Sequence, residues 1–286
     1  MDGRILIGAV FGLILMAFGG FYVALGPHGH DEKPVVAPPL LPPPPVLAPA
    51  PAAAPGAAPI AASPVQAAPP PMATPDSIEA EFAVSEHAPL LAVLKQSFPD
   101  DYKALVDAAA RRRNEGASDQ AFGQDVAERF QDIMRGKLKF GAQASMPTID
   151  RLAANEASLF HALGTEGAPF CLKMLGRDDS PATGPPPNSV RQLMALGTLY
   201  RFQAIAEGMS NSKPVEPLTK DETKAYEASL SREGLNLRDV NSGTFLKTAN
   251  EPGKPCLTLE ALHRAVARLQ DSVRRKVYSS MFFANR

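Results

Sequence analysis

The sequence predicts an all-α domain of six to eight antiparallel helices, preceded by one N-terminal transmembrane helix and a disordered Pro/Ala-rich linker. Three observations support this prediction: residues 5–25 form an uncharged apolar run, residues 27–75 consist mostly of Pro and Ala, and from Asp76 onward apolar residues recur at helical spacings. No run of alternating β-branched residues predicts a strand. We therefore divide the chain into residues 1–26, the anchor, and residues 27–75, the linker, followed by residues 76–286, the helical domain.

The apolar run is long enough to cross a bilayer. It contains 21 residues without a charge or a proline. At about 1.5 Å per residue a helix of this length spans about 31 Å, close to the ~30 Å of a hydrocarbon core. A cleaved signal peptide has a shorter apolar core of roughly 7–15 residues. The best cleavage position follows Gly26, and Pro27 directly after it would hinder a protease that binds extended backbone. The sequence therefore predicts a retained anchor.

Small residues recur at multiples of four positions along this predicted helix, at Gly8, Gly12, Gly20 and Ala24. Because small residues at this spacing let two membrane helices approach closely, they predict transmembrane packing and a homodimer formed through the anchor. The alternative is that these residues have no packing role, since glycine is common in membrane helices.

The basic residues around the anchor predict its orientation. The α-amino group and Arg4 precede the apolar run, whereas the first basic residue after it is Lys33. Basic residues favour the cytoplasmic side of a membrane. The N-terminus is therefore expected in the cytoplasm, and the rest of the chain outside it.

The linker has too little apolar surface to form a folded core. It contains 17 Pro and 13 Ala in 49 positions, and its only charged residues are Asp31, Glu32 and Lys33. Such a segment cannot bury enough apolar surface to offset the entropy of folding, and its proline content favours polyproline II stretches. We interpret it as a stiff spacer that holds the domain away from a bilayer.

Apolar spacing and capping residues place the helices of the C-terminal domain. Ser118 and Thr219 are N-cap candidates, and Glu222 completes a capping box after Thr219. The helix predicted for residues 189–209 is apolar around much of its circumference, which indicates a central, buried position. The predicted helices cover residues 101–115, 119–138, 147–164, 189–209, 220–234 and, as one continuous last helix capped by Thr258, 259–281.

The chain has two cysteines, Cys171 and Cys256, in unlike sequence settings. Neither belongs to a C-x-x-C pair, so neither a redox-active dithiol nor a zinc site is indicated. In an exported domain we expect the two to form a disulfide across 85 residues. In a reducing compartment they would instead be two buried, small apolar residues.

Charge and motifs limit the function classes. Residues 76–286 carry 27 basic and 27 acidic residues, so no net positive charge favours nucleic acid. The nucleophile elbow, the zinc-protease motif and the phosphate-binding glycine motifs are absent, so we predict no enzyme, no cofactor and no metal. A Cys171–His161 nucleophile pair stays open only if the disulfide does not form. His87 and His263 have ordinary structural explanations.

The basic cluster Arg274, Arg275 and Lys276 is a candidate contact for an acidic partner or for anionic lipid. The alternative is structural, because basic residues late in a helix complement the negative end of its macrodipole.

These features together predict a single-pass membrane-anchored envelope protein, whose helical domain binds a protein or cell-wall partner. The order of anchor, Pro/Ala spacer and terminal domain is similar to that of TonB-type energy-transducing envelope proteins. The likeness is one of layout, since those proteins end in a small mixed α/β domain. It favours the bacterial inner membrane with the domain in the periplasm. The alternatives are a cell-envelope enzyme such as a cell-wall hydrolase, and a cytoplasmic-facing interaction domain.

Overall fold

The computed structural model describes residues 72–85, 87–176, 182–211, 214–243 and 251–283, and within these residues the chain forms eleven helices and no strand. The all-α prediction is therefore confirmed, whereas the predicted number of six to eight helices is too low. The helices are α1 (Pro75–Ala83), α2 (Ala88–Ser97), α3 (Pro99–Asn114), α4 (Asp119–Gly141), α5 (Met146–Thr165), α6 (Ala168–Met174), α7 (Asn188–Ser210), α8 (Lys220–Arg232), α9 (Leu237–Ser242), α10 (Lys254–Ala267) and α11 (Asp271–Phe283).

The predicted anchor, with Gly8, Gly12, Gly20 and Ala24, lies outside the described residues, as does the predicted linker up to residue 71. Among the helices that the structure describes, none combines the length and the apolar character needed to cross a bilayer.

Local sequence signals set several helix ends. The Ser118 side chain accepts a hydrogen bond from the backbone N–H of Ala121 at the start of α4. Thr219 and Glu222 form the predicted capping box at the start of α8. Between α3 and α4, Gly116 adopts a φ of 77°, a conformation that residues with a Cβ rarely adopt. These ends follow from residues within the local segment, which explains why the sequence predicts them.

The predicted last helix is wrong, because the chain turns between Ala267 and Asp271 and forms two helices, α10 and α11. Thr258 lies within α10, where its hydroxyl donates to the carbonyl of Lys254, and does not cap a helix. The periodicity did not reveal the turn, because apolar residues on both sides of it face the same core. Arg274 stabilises the turn by donating to the backbone carbonyls of Ala267 and Leu269.

Two apolar cores share helix α7. One core lies among α5, α6, α7, α8, α9, α10 and α11, and the other lies among α1, α2, α3, α4 and α7. Val190 and Met194 of α7 belong to the first core, whereas Phe202 and Ile205 belong to the second. The predicted central helix is therefore confirmed in position, although one stripe of it faces solvent, with Leu196 39% exposed.

Helices α4 and α7 cross in close contact at Gly208. A Cβ at this position would overlap the carbonyl oxygen of Phe140, which is backbone and cannot rotate away. Gly136, on the exposed side of α4, has no atom within 4 Å of its Cβ position. A comparison of alanine substitutions at the two glycines therefore distinguishes the packing requirement at Gly208 from the general cost of glycine in a helix.

We expect the substitution Gly208→Ala to lower the free energy of unfolding by about 1–3 kcal/mol or more, since the helices must move apart. The matched change Gly136→Ala should raise it by up to about 1 kcal/mol, because alanine favours helix. Urea unfolding followed by circular dichroism measures both. Equal effects of the two changes would contradict the close crossing.

Candidate functional site

Cys171 lies on α6 and Cys256 in the first turn of α10, and both are fully buried. Their Cα atoms are 6.0 Å apart, within the range that a disulfide spans. The structure thus brings together the two cysteines that the sequence paired. A disulfide here would tie α6 to α10, and it would remove the thiol needed for a Cys171–His161 nucleophile pair.

Arg274, Arg275 and Lys276 lie on α11, and the structure gives each charged group a contact within the domain. The Arg274 guanidinium is 3.0 Å from a carboxylate oxygen of Asp150, and the Lys276 ammonium is 2.9 Å from both carboxylate oxygens of its partner. The three side chains are half-buried rather than extended into solvent. Their partners are, in order, Asp150 of α5, the carbonyl of Ala144 and Glu222 of α8.

These contacts attach α11 to α5 and α8, so the basic cluster has a structural role. This role differs from the predicted one, because the three residues lie in the first half of α11 and not near the negative end of its macrodipole. Binding of an outside partner by the same residues stays a prediction. A partner would have to compete with carboxylates that are already in place.

The Lys276–Glu222 pair has a measurable electrostatic consequence. Hydrogen bonding from Lys276, and then from the backbone of Thr219, lowers the pKa of Glu222. A carboxyl group with a lowered pKa in the folded state stabilises the fold above its ordinary pKa, and this stabilisation is lost as the pH falls through the folded value.

We expect Lys276→Gln to move the pKa of Glu222 back toward its ordinary value. Lys224→Gln is the control, because Lys224 pairs with the exposed Asp221 on the same helix as Glu222. An NMR titration of the glutamate side chains measures both variants. The pairing would be refuted if the pKa of Glu222 were the same in wild type and Lys276→Gln.

A buried polar cluster lies between α5 and α7. Glu156 is 2% exposed and Arg201 is 5% exposed, and the Arg201 guanidinium donates to the Glu156 carboxylate. Beside them Asn155 donates to the carbonyl of Leu193 at 2.9 Å. Gly197 provides the necessary space, since a Cβ there would lie 3.1 Å from the Asn155 side-chain nitrogen. We name Asn155, Glu156 and Arg201 the polar cluster.

His263 of α10 lies close to this cluster in an aromatic cage. Its ring is 2% exposed, with centroids 5.6 Å from Phe160, 5.9 Å from Tyr278 and 5.8 Å from Phe282. Neither ring nitrogen has a hydrogen-bond partner among the described residues. Burial, together with the nearby Arg201 charge, lowers the pKa of His263 to about 3. The imidazole is therefore neutral at ordinary pH.

The cluster has the chemical types of an acid–base site but not the access of one. Burial raises the pKa of Glu156, and the Arg201 guanidinium acts in the opposite direction. Glu156, Arg201, Asn155 and His263 are all at most 7% exposed, so no substrate reaches them in this conformation. The arrangement fits a structural ion pair that orients α7 against α5.

The polar cluster is not among the sequence predictions, although the sequence contains a signal for it. Glu156 stands four residues after Leu152 and four before Phe160, so it falls on the buried face of α5. A charged residue on an apolar face indicates a buried partner. Arg201, 45 residues later, is not identifiable as that partner without the fold.

Other polar groups lie at the surface. The His161 side chain is 62% exposed, and its Nδ1 is 3.1 Å from a carboxylate oxygen of Glu260. An open groove beside α9 is lined by Glu227, Leu237 and Arg238, together with Asn241 and Ser242. In the described part of the chain, no three His, Cys, Asp or Glu residues converge on a position that could hold a metal ion.

Comparisons with protein-family models, with curated proteins and with solved structures found no match for this chain.

Proposed function

We propose that the protein is a single-pass membrane-anchored envelope protein whose helical domain acts as a binding or scaffold module, held off the bilayer by the linker. The observation that carries the proposal is the pair Cys171 and Cys256, fully buried at disulfide distance between α6 and α10. Disulfides form and persist in oxidising compartments, so this pair favours export of the domain. The apolar run at residues 5–25 supplies the membrane attachment.

The proposed location is the bacterial inner membrane, with the domain in the periplasm. The charge difference across the apolar run supports this orientation, because Arg4 precedes it and Lys33 follows it only at a distance. The binding role is supported by the burial of Glu156, Arg201 and His263 within the domain. His263, for example, is sealed in the core, which leaves the helix surfaces as the contact area.

Reporter fusions after Arg286 test the topology. An alkaline phosphatase fusion is expected to be active and a green fluorescent protein fusion dark, because the C-terminus lies outside the cytoplasm. The control variant Leu13→Lys with Leu15→Lys places two charges at the centre of the apolar run and should abolish phosphatase activity. A bright fluorescent fusion with an inactive phosphatase fusion would refute the proposed orientation.

Membrane retention is tested separately by alkaline carbonate extraction of the full-length chain. We expect the protein in the pellet, with an N-terminus upstream of Pro27. Release into the supernatant, or a mature chain beginning at Pro27, would contradict the anchor.

Homodimerisation through the anchor is part of the proposal and has its own test. The double substitution Gly8→Leu and Gly12→Leu should abolish chemical cross-linking of two copies in membranes, because leucine prevents close helix approach. Gly3→Leu, outside the apolar run, is the matched control. Unchanged cross-linking in the double variant would contradict a dimer formed at these residues.

The binding role and the alternative of a cell-envelope enzyme are distinguished by the purified domain. We expect residues 72–286 to enrich a specific envelope component over a control helical domain. A zymogram of the same material on cell-wall preparations should show no clearing. Clearing would favour a cell-wall hydrolase instead.

A further inference from the structure

Helix α11 is attached to the rest of the domain at the His263 cage. Tyr278 and Phe282 of α11 stack with the imidazole, and the ring centroid of Phe160 of α5 lies 5.6 Å from that of the imidazole. The Tyr278 hydroxyl also donates to the backbone carbonyl of His263 at 3.3 Å. The imidazole is therefore part of the surface on which α11 packs.

A proton on His263 would be poorly accommodated in this cage. The imidazolium would carry two N–H donors, and neither ring nitrogen has an acceptor among the described residues. Stacking of the cation on the aromatic rings would offset part of this cost. Two buried, charged donors without acceptors cost more than the stacking gains.

The charged and titratable groups that face the cage do not make protonation of His263 favourable. On α7 the facing charge is the Arg201 cation, which disfavours a second cation, and its negative partner on α5 is Glu156. On α11 and α8 the neighbouring titratable groups are Tyr278 and Tyr226, whose pKa values are raised by burial, so both are neutral. On α6, Cys171 is at disulfide distance from Cys256, and on α10 itself Glu260 is bound to Arg264 at 2.5 Å.

We propose that the contact between α11 and the His263 cage is an acid-sensitive latch, in which protonation of His263 releases α11 from the core. Opening exposes the imidazole, which then takes up one proton below its ordinary pKa of about 6.5, whereas the closed form stays neutral. The pKa of His263 in the folded chain, lowered to about 3, agrees with this direction. Residues 268–270 join α11 to α10, and opening removes the α11 side chains from the first core.

Native-state hydrogen exchange of the full-length chain in mild detergent, followed by mass spectrometry, tests the latch. The exchange rates are corrected for the intrinsic effect of pH. Between pH 6.5 and 4.5 we expect the opening constant of α11 to rise about fifty-fold in the wild type, with a slope that approaches tenfold per pH unit at the acidic end. This window lies above the ordinary pKa of carboxyl groups, about 4, so a histidine dominates the proton uptake. The reference segment is α3, whose opening constant should change little.

The variant His263→Phe keeps an aromatic ring and removes the titration, so its opening constant should change less than threefold over the same range. His263→Gln provides the same test if the phenylalanine variant does not fold. His161→Gln, at the exposed histidine, should behave as the wild type. The latch is overturned if α11 opens no more steeply with acid than α3, or if removing the His263 side chain leaves the pH dependence unchanged.

Discussion

The substitution Arg201→Met is expected to lower the free energy of unfolding by about 3–5 kcal/mol, because it leaves the Glu156 carboxylate buried without its counter-charge. Glu156 is 2% exposed, so water cannot replace the lost guanidinium. Methionine approximates the volume of the aliphatic part of arginine, which limits the contribution of a cavity. Urea unfolding at pH 7, followed by circular dichroism, measures the change.

The double variant Glu156→Leu with Arg201→Met distinguishes the cost of leaving one charge unpaired from the net contribution of the ion pair to the free energy of unfolding. Replacing a buried ion pair by apolar residues is often neutral or stabilising, so we expect most of the lost stability to return. The control is the ion pair of Lys103 and Asp107 at the surface of α3. Lys103→Met, alone or with Asp107→Leu, should lower the free energy of unfolding by at most about 1 kcal/mol. If Arg201→Met cost no more than Lys103→Met, the ion pair would not be buried as described.

Removal of the disulfide is expected to have an effect of similar size. In the chain-entropy model, a bond that closes a loop across 85 residues stabilises the folded state by about 4–5 kcal/mol. The double variant Cys171→Ala with Cys256→Ala should lose this amount, together with a smaller loss of packing. Urea unfolding under non-reducing conditions measures the difference from wild type.

Reduction provides the internal control for this prediction. Dithiothreitol should shift the unfolding midpoint of the wild type toward that of the alanine variant and leave the variant unchanged, because the variant has no bond to reduce. Lysis of cells directly into denaturant containing an alkylating reagent should leave both cysteines unmodified if the bond forms in the cell, because denaturation exposes any free thiol. A wild-type midpoint insensitive to reductant would show that the two sulfurs are not bonded, and it would remove the main support for export.

The parts of the fold that the sequence predicted depend on neighbouring residues. The capping box at Thr219, the cap at Ser118 and the stop at Gly116 each involve groups at most five residues apart, so the local sequence specifies them. The one continuous helix predicted through Thr258 failed because the apolar period continues across the turn at residues 268–270. That turn is stabilised by the Arg274 side chain, which comes from the following helix.

The candidate site shows the same division between local and distant contacts. Cys171 and Cys256 could be paired from the sequence, because the chain has only two cysteines. For Arg274, Arg275 and Lys276 the sequence predicts either a partner contact or a position late in a helix, and only the fold places Asp150 and Glu222 against two of them. The His263 cage and the Glu156–Arg201 pair were not foreseen, because their members come from different helices.

The amino-acid sequence alone therefore determined the all-α class, the approximate bounds of α3, α4, α5, α7 and α8, and the candidate disulfide. Helical periodicity and capping depend on residues within one or two turns, and two cysteines admit a single pairing. Only the tertiary structure decided which polar residues are buried, which charges are neutralised and where the last helix divides. These properties depend on residues that are distant in the chain and adjacent in space, and the burial that changes their energies exists only once the helices have packed.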